Sequence, residues 1–396
     1  MGREAKIKRV FYVSAGGADI IQSHTFWRQG VHNPNEVSIT FSGQIEDFVQ
    51  EIGAEAYMVS ARAEAQIVQD GAFTIEHRVR THGKGLGYYL AELRYCLGLV
   101  RTARAFGADL ALVDSGVVPF FMMTAFRIVG IPVVPILHNC LWPNGFRPKG
   151  KLQSIVQWLD RAFWRRVPKA IIAVSPEAER QVDEIAGAAH PPIWQVRAQF
   201  LPDYFAHIPS PDADAVPFRI MFIGRVVEHK GVLDIPDMAR RVEATMPGQV
   251  RWTVCGRGAA LEPLRDKIVA LGLQDVVTAR GWTSLEDLQQ VYTESHASIV
   301  PTRSGFAEGL AMTAAEAILA GRPIVSNPIV PALELLEPAA MTARSNDADS
   351  HADAVAALAG DRTLYRKLQA NCAPLRAQFY DRDQGLTAVL RRALAV

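Results

Sequence analysis

The feature that most constrains this chain is an alternation that runs, stops and starts again. Short, nearly continuous apolar runs such as KRVFYVS (residues 8–14), EAYMVSA (55–61), ADLALVDSG (108–116), IPVVPILHN (131–139) and KAIIAVS (169–175) are separated by amphipathic segments. Apolar runs of that length fit strands buried on both faces, and helices between them make the sheet parallel. DYFAHIPSPDADAVPF (203–218), rich in Pro and Asp, reads as a linker. The alternation resumes with FRIMFIGR, VRWTVCGRG, DVVTARGW, HASIVPTRS and RPIVSN as strands. A chain of 396 residues is also too long for one hydrophobic core and suits two. The expected organisation is a first domain over 1–205, a second over 206–375, and a C-terminal helix over 376–396 that packs back on the first. Ligands in such sheets sit at the carboxyl ends of the strands, so two such domains imply a central cleft.

Between the strands, GQIEDFVQEIG reads as a helix with Ile45, Phe48, Val49 and Ile52 on one face. The preceding unit begins with VSITF (37–41), after ADIIQSHTFWRQGVHNPNE (18–36), which has no clear period and reads as an inserted loop. A long helix is expected over 88–106 after HGKGLG, and another at SPEAE, where Ser175 is the N-cap and Pro176 opens the helix. Residues 364–396 read as helix.

Charge and composition exclude several classes. The net charge of +1 gives no general attraction to nucleic acid. The four cysteines, Cys96, Cys140, Cys255 and Cys372, lie far apart, which points to reduced thiols in a cytosolic protein rather than a disulfide scaffold or zinc site. The N-terminus shows no signal-peptide pattern, and the most apolar region (117–137) is broken by Arg127, Pro132 and Pro135.

Two loops carry the chemistry. FIGRVVEHKG (222–231) leaves a strand through Gly224 and then offers Arg225 and Lys230, a flat fork of donors and a point cation that suit phosphate oxygens. GFAEGLAMTAAEAILAG (305–321) places a helix start near Gly309. A helix N-terminus is a seat for anions. Glu308 then lies just outside the helix and Glu316 about two turns down it, roughly 12 Å of rise away. Taken singly, each carboxylate is as ordinary as a solvated helix residue. In an alanine-rich helix that must pack closely, an unpartnered carboxylate is costly. The pair fits an extended ligand with hydroxyls at both ends and a diphosphate between.

With these motifs in place, the chain resembles the retaining glycosyltransferases of sequence family 4, which have the two-domain GT-B fold. The matching residues are GRVVEHKG, the spacing of Glu308 and Glu316 in EGLAMTAAE, the continuation AILAGRPIV, the turn CGRG (255–258), IIAVSPEA and FLPDYF. Arg257 stands where the family usually has an acid, Asp203 replaces the usual Asn, and residues 18–36 match least. The resemblance implies an α/β protein of two Rossmann-like parallel-sheet domains facing a cleft. It implies transfer of a sugar from a nucleotide-diphosphate sugar, UDP-linked by preference or else GDP-mannose, to a glycan or lipid-linked acceptor in bacterial polysaccharide or glycolipid synthesis. Arg225 and Lys230 would neutralise the leaving diphosphate in place of a metal or other cofactor, with the backbone of Gly309 and Leu310 assisting. Glu308 would bind the transferred sugar, Glu316 the ribose, and His138 the sugar from the other domain. Gly16, Gly17 and Gly224 would border the donor. Competing readings are a nucleotide-sugar epimerase of the same fold and a non-catalytic nucleotide-sugar-binding protein.

Residues 142–170 have an excess of cations interleaved with Trp142, Phe146, Trp158, Phe163 and Trp164. That pattern fits contact with an anionic membrane at the cytoplasmic face. It equally fits an amphipathic helix with core aromatics and solvated charges.

Overall fold

The apolar runs become strands, and together they build two separate sheets. The computed structural model describes residues 7–15, 18–34, 36–81, 83 and 85–396. The chain divides into one unit drawn from 1–139, 148–199 and 382–396, and a second from 140–147 and 200–381.

The first unit is built on an eight-stranded sheet of β1 (Arg9–Ser14), β2 (Glu55–Arg62), β3 (Gln66–Asp70), β4 (Phe73–Val79), β5 (Leu110–Asp114), β6 (Val133–Leu137), β7 (Ile171–Ala173) and β8 (Ile193–Gln195). Their order is β3-β4-β2-β1-β5-β6-β7-β8, all parallel except β3 against β4. That antiparallel edge is a hairpin in a stretch where the sequence reading assigned no element. Its two-residue turn is Gly71-Ala72, with Gly71 at φ 57°. Parallel crossovers are right-handed. The connections from β4 to β8 all advance in one direction, so the helices Leu86–Phe106, Thr124–Ile128, Lys151–Arg166 and Pro176–Ala186 share one face. The helix Phe41–Ile52 covers the other face and packs against the terminal helix Leu386–Leu394. Ile45, Phe48, Leu386 and Leu390 fill the core there beside Tyr12 and Ile136.

One expectation fails in this unit. Residues 18–36 are not an unstructured insertion, because Ile20–Arg28 is a helix, begun where the Asp19 side chain accepts from Gln22 N–H. Its buried residues are Ile20 and His24, and a histidine facing inwards conceals the apolar period. Within VSITF, Thr40 is the N-cap of the next helix, its hydroxyl accepting from Gly43 N–H at 3.0 Å, so the helix begins at Phe41.

The second unit has a six-stranded parallel sheet of β9 (Phe218–Ile223), β10 (Val250–Cys255), β11 (Val277–Gly281), β12 (Ala297–Val300), β13 (Ile324–Ser326) and β14 (Ala340–Thr342), in the order β11-β10-β9-β12-β13-β14. The expected continuous C-terminal helix is broken. Arg362–Leu375 and Ala377–Tyr380 belong to this unit, and a turn at 381–385 precedes the helix that lies in the first. Pro374 lacks the N–H that would continue the first of these helices. All four cysteines are buried thiols, none in a disulfide.

Candidate functional site in the second unit

Three loops leave the carboxyl ends of adjacent strands and are fastened backbone to backbone. Gly256, after β10, lies so close to the loop after β9 that a Cβ would strike the Gly224 carbonyl oxygen. Gly231 has φ 76°, and a Cβ there would strike the Pro301 carbonyl oxygen beyond β12. Val226 N–H donates to the Arg257 carbonyl at 2.9 Å, and Arg303 N–H to that of His229 at 2.9 Å. A Cβ on Gly224 would lie 3.9 Å from Thr313, at the start of the helix Met312–Leu319. The frame is therefore set by main chain, and side chains are displayed from it.

The displayed side chains converge on Phe306. The Lys230 ammonium lies 4.7 Å from its ring centroid and the Arg225 guanidinium carbon 5.4 Å, within cation–π range. His229 stacks on the same ring at 4.7 Å with 18° between planes. Burial, and then the positive charges of Arg225 and Lys230, hold the His229 pKa below its usual value, so it is neutral at neutral pH. Lys230 donates to Glu308, whose Oε1 also accepts from the Thr302 hydroxyl at 2.8 Å. Cys140 N–H donates to the Glu308 carbonyl at 2.9 Å. Glu308 is 4% exposed, and its partner comes from the loop after β9 rather than from its own stretch.

The helix starts later than its sequence suggests. It spans Met312–Leu319, not a segment beginning near Gly309. Ala311 stands before it in the left-handed region at φ 66° and ψ 83°, a conformation that costs a non-glycine residue about 1–2 kcal/mol. Gly309 and Leu310 lie in the preceding loop, with Leu310 buried. No side chain caps the helix N-terminus. Glu316 is thus one turn into the helix, not two. Its Oε2 accepts from the Tyr292 hydroxyl at 3.0 Å. Burial pushes the Glu316 pKa up to about 7, against the lowering effect of that hydrogen bond.

Gly224, Arg225, Lys230, Glu308, Gly309, Leu310 and Glu316 all belong to this unit. Phe306, His229, Thr302 and Tyr292 were not singled out from sequence. The cations around Phe306 come from a loop about 80 residues away, so nothing local in the sequence marked it, and nothing marked Tyr292. Arg257 sets its guanidinium 5.4 Å over the Trp282 ring, and Asp203 lies in the first turn of the helix Pro202–Ala206. His138 belongs to the first unit, just past β6. Its Nε2 is 2.8 Å from Asp114 Oδ1, and its ring meets Phe41 edge-on at 4.5 Å. Asp114 is fixed in turn by the Tyr12 hydroxyl at 2.9 Å and Ala15 N–H at 3.0 Å. Gly16 and Gly17 lie outside the described residues. Among the described residues, no three His, Cys, Asp or Glu side chains gather as metal ligands would.

Residues 206–373 match the family described as Glycosyl transferases group 1, and residues 48–197 match the Glycosyl transferase 4-like domain. Alpha-D-kanosaminyltransferase of Streptomyces kanamyceticus is 25% identical over 283 residues, covering 67% of this chain and 71% of that protein. The amylovoran biosynthesis glycosyltransferase AmsK of Erwinia amylovora is 29% identical over 129 residues, covering 32% and 31%. Among solved structures, sucrose-phosphate synthase from Thermosynechococcus elongatus aligns with a TM-score of 0.68 at 14% identity over 98% of each chain. Anabaena HepE in complex with UDP aligns at 0.65 and 17%, also over 98% of each. These likenesses establish a GT-B fold.

Proposed function

We propose that this chain, whose residues 48–197 and 206–373 match a Glycosyl transferase 4-like domain and the Glycosyl transferases group 1 family, transfers a sugar from a nucleotide-diphosphate sugar with retention and without a metal. The observation that carries this is the cluster of Lys230, Arg225 and Glu308 around Phe306. The bond from the anomeric carbon to the diphosphate breaks, and a bond from that carbon to an acceptor hydroxyl oxygen forms on the same face. The hydroxyl proton passes to the departing diphosphate. Negative charge therefore grows on the diphosphate as the sugar becomes electron-poor. Fixed cations stabilise that charge without reorganising. Lys230 is held in place by Glu308, and Arg225 is exposed at the loop tip. Glu308 keeps Oε2 for a sugar hydroxyl while Oε1 takes Lys230 and Thr302. The backbone of Gly224, Gly309 and Leu310 borders the donor, and Glu316 takes the ribose. On resemblance alone His138 contacts the transferred sugar; its Nε2 lies 2.8 Å from Asp114 Oδ1.

The first donor to test is a UDP-sugar and the second GDP-mannose. A glycan acceptor fits the relative named for amylovoran biosynthesis, and a lipid-linked acceptor is the second to test. Calorimetry with UDP, GDP and ADP, followed by anomer-resolved NMR of the product, tests the reading. Binding of one nucleoside diphosphate that is lost in Lys230→Ala, and a product with the donor's anomeric configuration, are expected. Inversion would overturn the retaining step, and no binding of any of the three would overturn the donor site.

A further inference from the structure

The helical layer on one face of the first unit's sheet carries an outward surface that the transfer reaction does not use. Three of its helices, Leu86–Phe106, Thr124–Ile128 and Lys151–Arg166, expose large apolar side chains. In the last, Leu152, Ile155 and Trp158 follow one another at three-residue spacing and are 58%, 57% and 69% exposed. In the first, Leu90, Leu93 and Leu97 form a second stripe, each at least 41% exposed. Ile128, between the two, is 78% exposed. The first and last of these helices both pack on the segment 120–128, so the stripes sit in one continuous layer.

Charge sorts across this layer by depth. The three helices carry eight Arg and Lys side chains, and all eight are exposed. Their two carboxylates, Glu92 and Asp160, are both buried. Glu92 holds Arg80 at 2.6 Å, and Asp160 accepts from Phe121 N–H at 3.0 Å. The next helix of the layer, Pro176–Ala186, carries exposed acid and bounds the surface. An ordinary solvated face mixes the two signs. On these three helices every exposed charged side chain is a cation. Aromatic and aliphatic side chains that insert to headgroup depth, flanked by Arg and Lys that reach lipid phosphates, make an interfacial membrane surface. No helix among the described residues is long and apolar enough to cross a membrane.

We propose that this three-helix layer docks the protein on a bilayer containing anionic lipid, with Trp158 and Ile155 inserted and Arg161, Arg165, Lys151 and Arg94 against the headgroups. The occupant is a lipid surface rather than a second copy of the chain, because two copies would set cation against cation. The docking does not depend on the transfer reaction, and its failure would leave the donor site untouched.

The test is co-sedimentation with vesicles of phosphatidylcholine alone and of phosphatidylcholine with phosphatidylglycerol, at low and high salt. Binding to the anionic vesicles only, weakened at high salt, is expected. The double variant Trp158→Ala with Ile155→Ala should bind at least about tenfold more weakly, as should Arg161→Glu with Arg165→Glu. All these positions are exposed, so an unchanged melting temperature establishes that each variant is folded. Equal binding to both vesicle types, binding unaffected by the variants, or no binding would overturn the proposal. So would a dimer in sedimentation velocity that Trp158→Ala dissociates, which would assign the surface to a second copy.

Discussion

Each unit buries a carboxylate against a basic partner, and the two pairs are built differently. In the first unit, Glu46 is fully buried and His24 is 3% exposed, with Nδ1 of His24 2.5 Å from Glu46 and Nε2 3.3 Å from Asp70. Burial opposes the charge on His24, and the hydrogen bonds and negative charges of Glu46 and Asp70 together outweigh it, so the His24 pKa is raised. In the second unit, Glu308 is 4% exposed, but the Lys230 side chain remains 18% accessible beside the Phe306 ring. A pair sealed at both ends can only hold an element in place. A pair with one end open to solvent can exchange partners with a ligand. His24–Glu46 therefore fastens the helix Ile20–Arg28, whereas Lys230–Glu308 keeps a cation ready.

The sharpest way to break this contrast is Glu46→Ala. It leaves His24 buried opposite nothing but Asp70 and should cost about 3–5 kcal/mol in a denaturant melt. A cost below about 1 kcal/mol would mean that the pair fastens nothing. Lys230→Ala should act on the other quantity, lowering kcat by about 10²–10³-fold while its melting temperature falls less than that of Glu46→Ala. Equal loss of stability in the two variants would erase the distinction. The pH dependence of Glu316 refines it further. Its carboxyl has a folded pKa of about 7, above the unfolded value. The folded state thus binds more protons between the two values, and stability declines as pH rises from about 4.5 to about 7, by on the order of 3 kcal/mol. Glu316→Gln should flatten that slope, and an unchanged slope would place the titration elsewhere. The smallest effect expected is from Trp27→Phe, which removes the indole N–H donated to Asp47 at 2.7 Å, at about 1 kcal/mol.

What the sequence disclosed follows the same division. The second unit announces itself because its chemistry lies in short loops between apolar strands, so GRVVEHKG and EGLAMTAAE stand out against Phe218–Ile223 and Ala297–Val300. The partner of Glu308 was not legible, since Lys230 is distant in sequence and meets it only through β9 and β12 being neighbours. The late start of the helix at Met312 was hidden because Ala311 takes a left-handed conformation that alanine does not advertise. In the first unit, the helix Ile20–Arg28 was missed because its inward group is a histidine whose acids come from a second helix and a hairpin. The hairpin itself carried a legible signal, a glycine (Gly71) opening a two-residue turn between alternating residues, which was passed over.

The backbone fastening of the three loops has a consequence for how this protein tolerates change. At Gly231 and Gly256 a single added carbon would collide with a carbonyl oxygen of the neighbouring loop. In a saturation library scored for nucleotide binding, these two positions should accept no other residue type, though neither offers a side chain to the ligand. Arg225, exposed at the tip of the same frame, should accept some replacements with graded loss. A frame that forbids variation at its joints while permitting it at its tip lets donor preference drift without the loops losing their places.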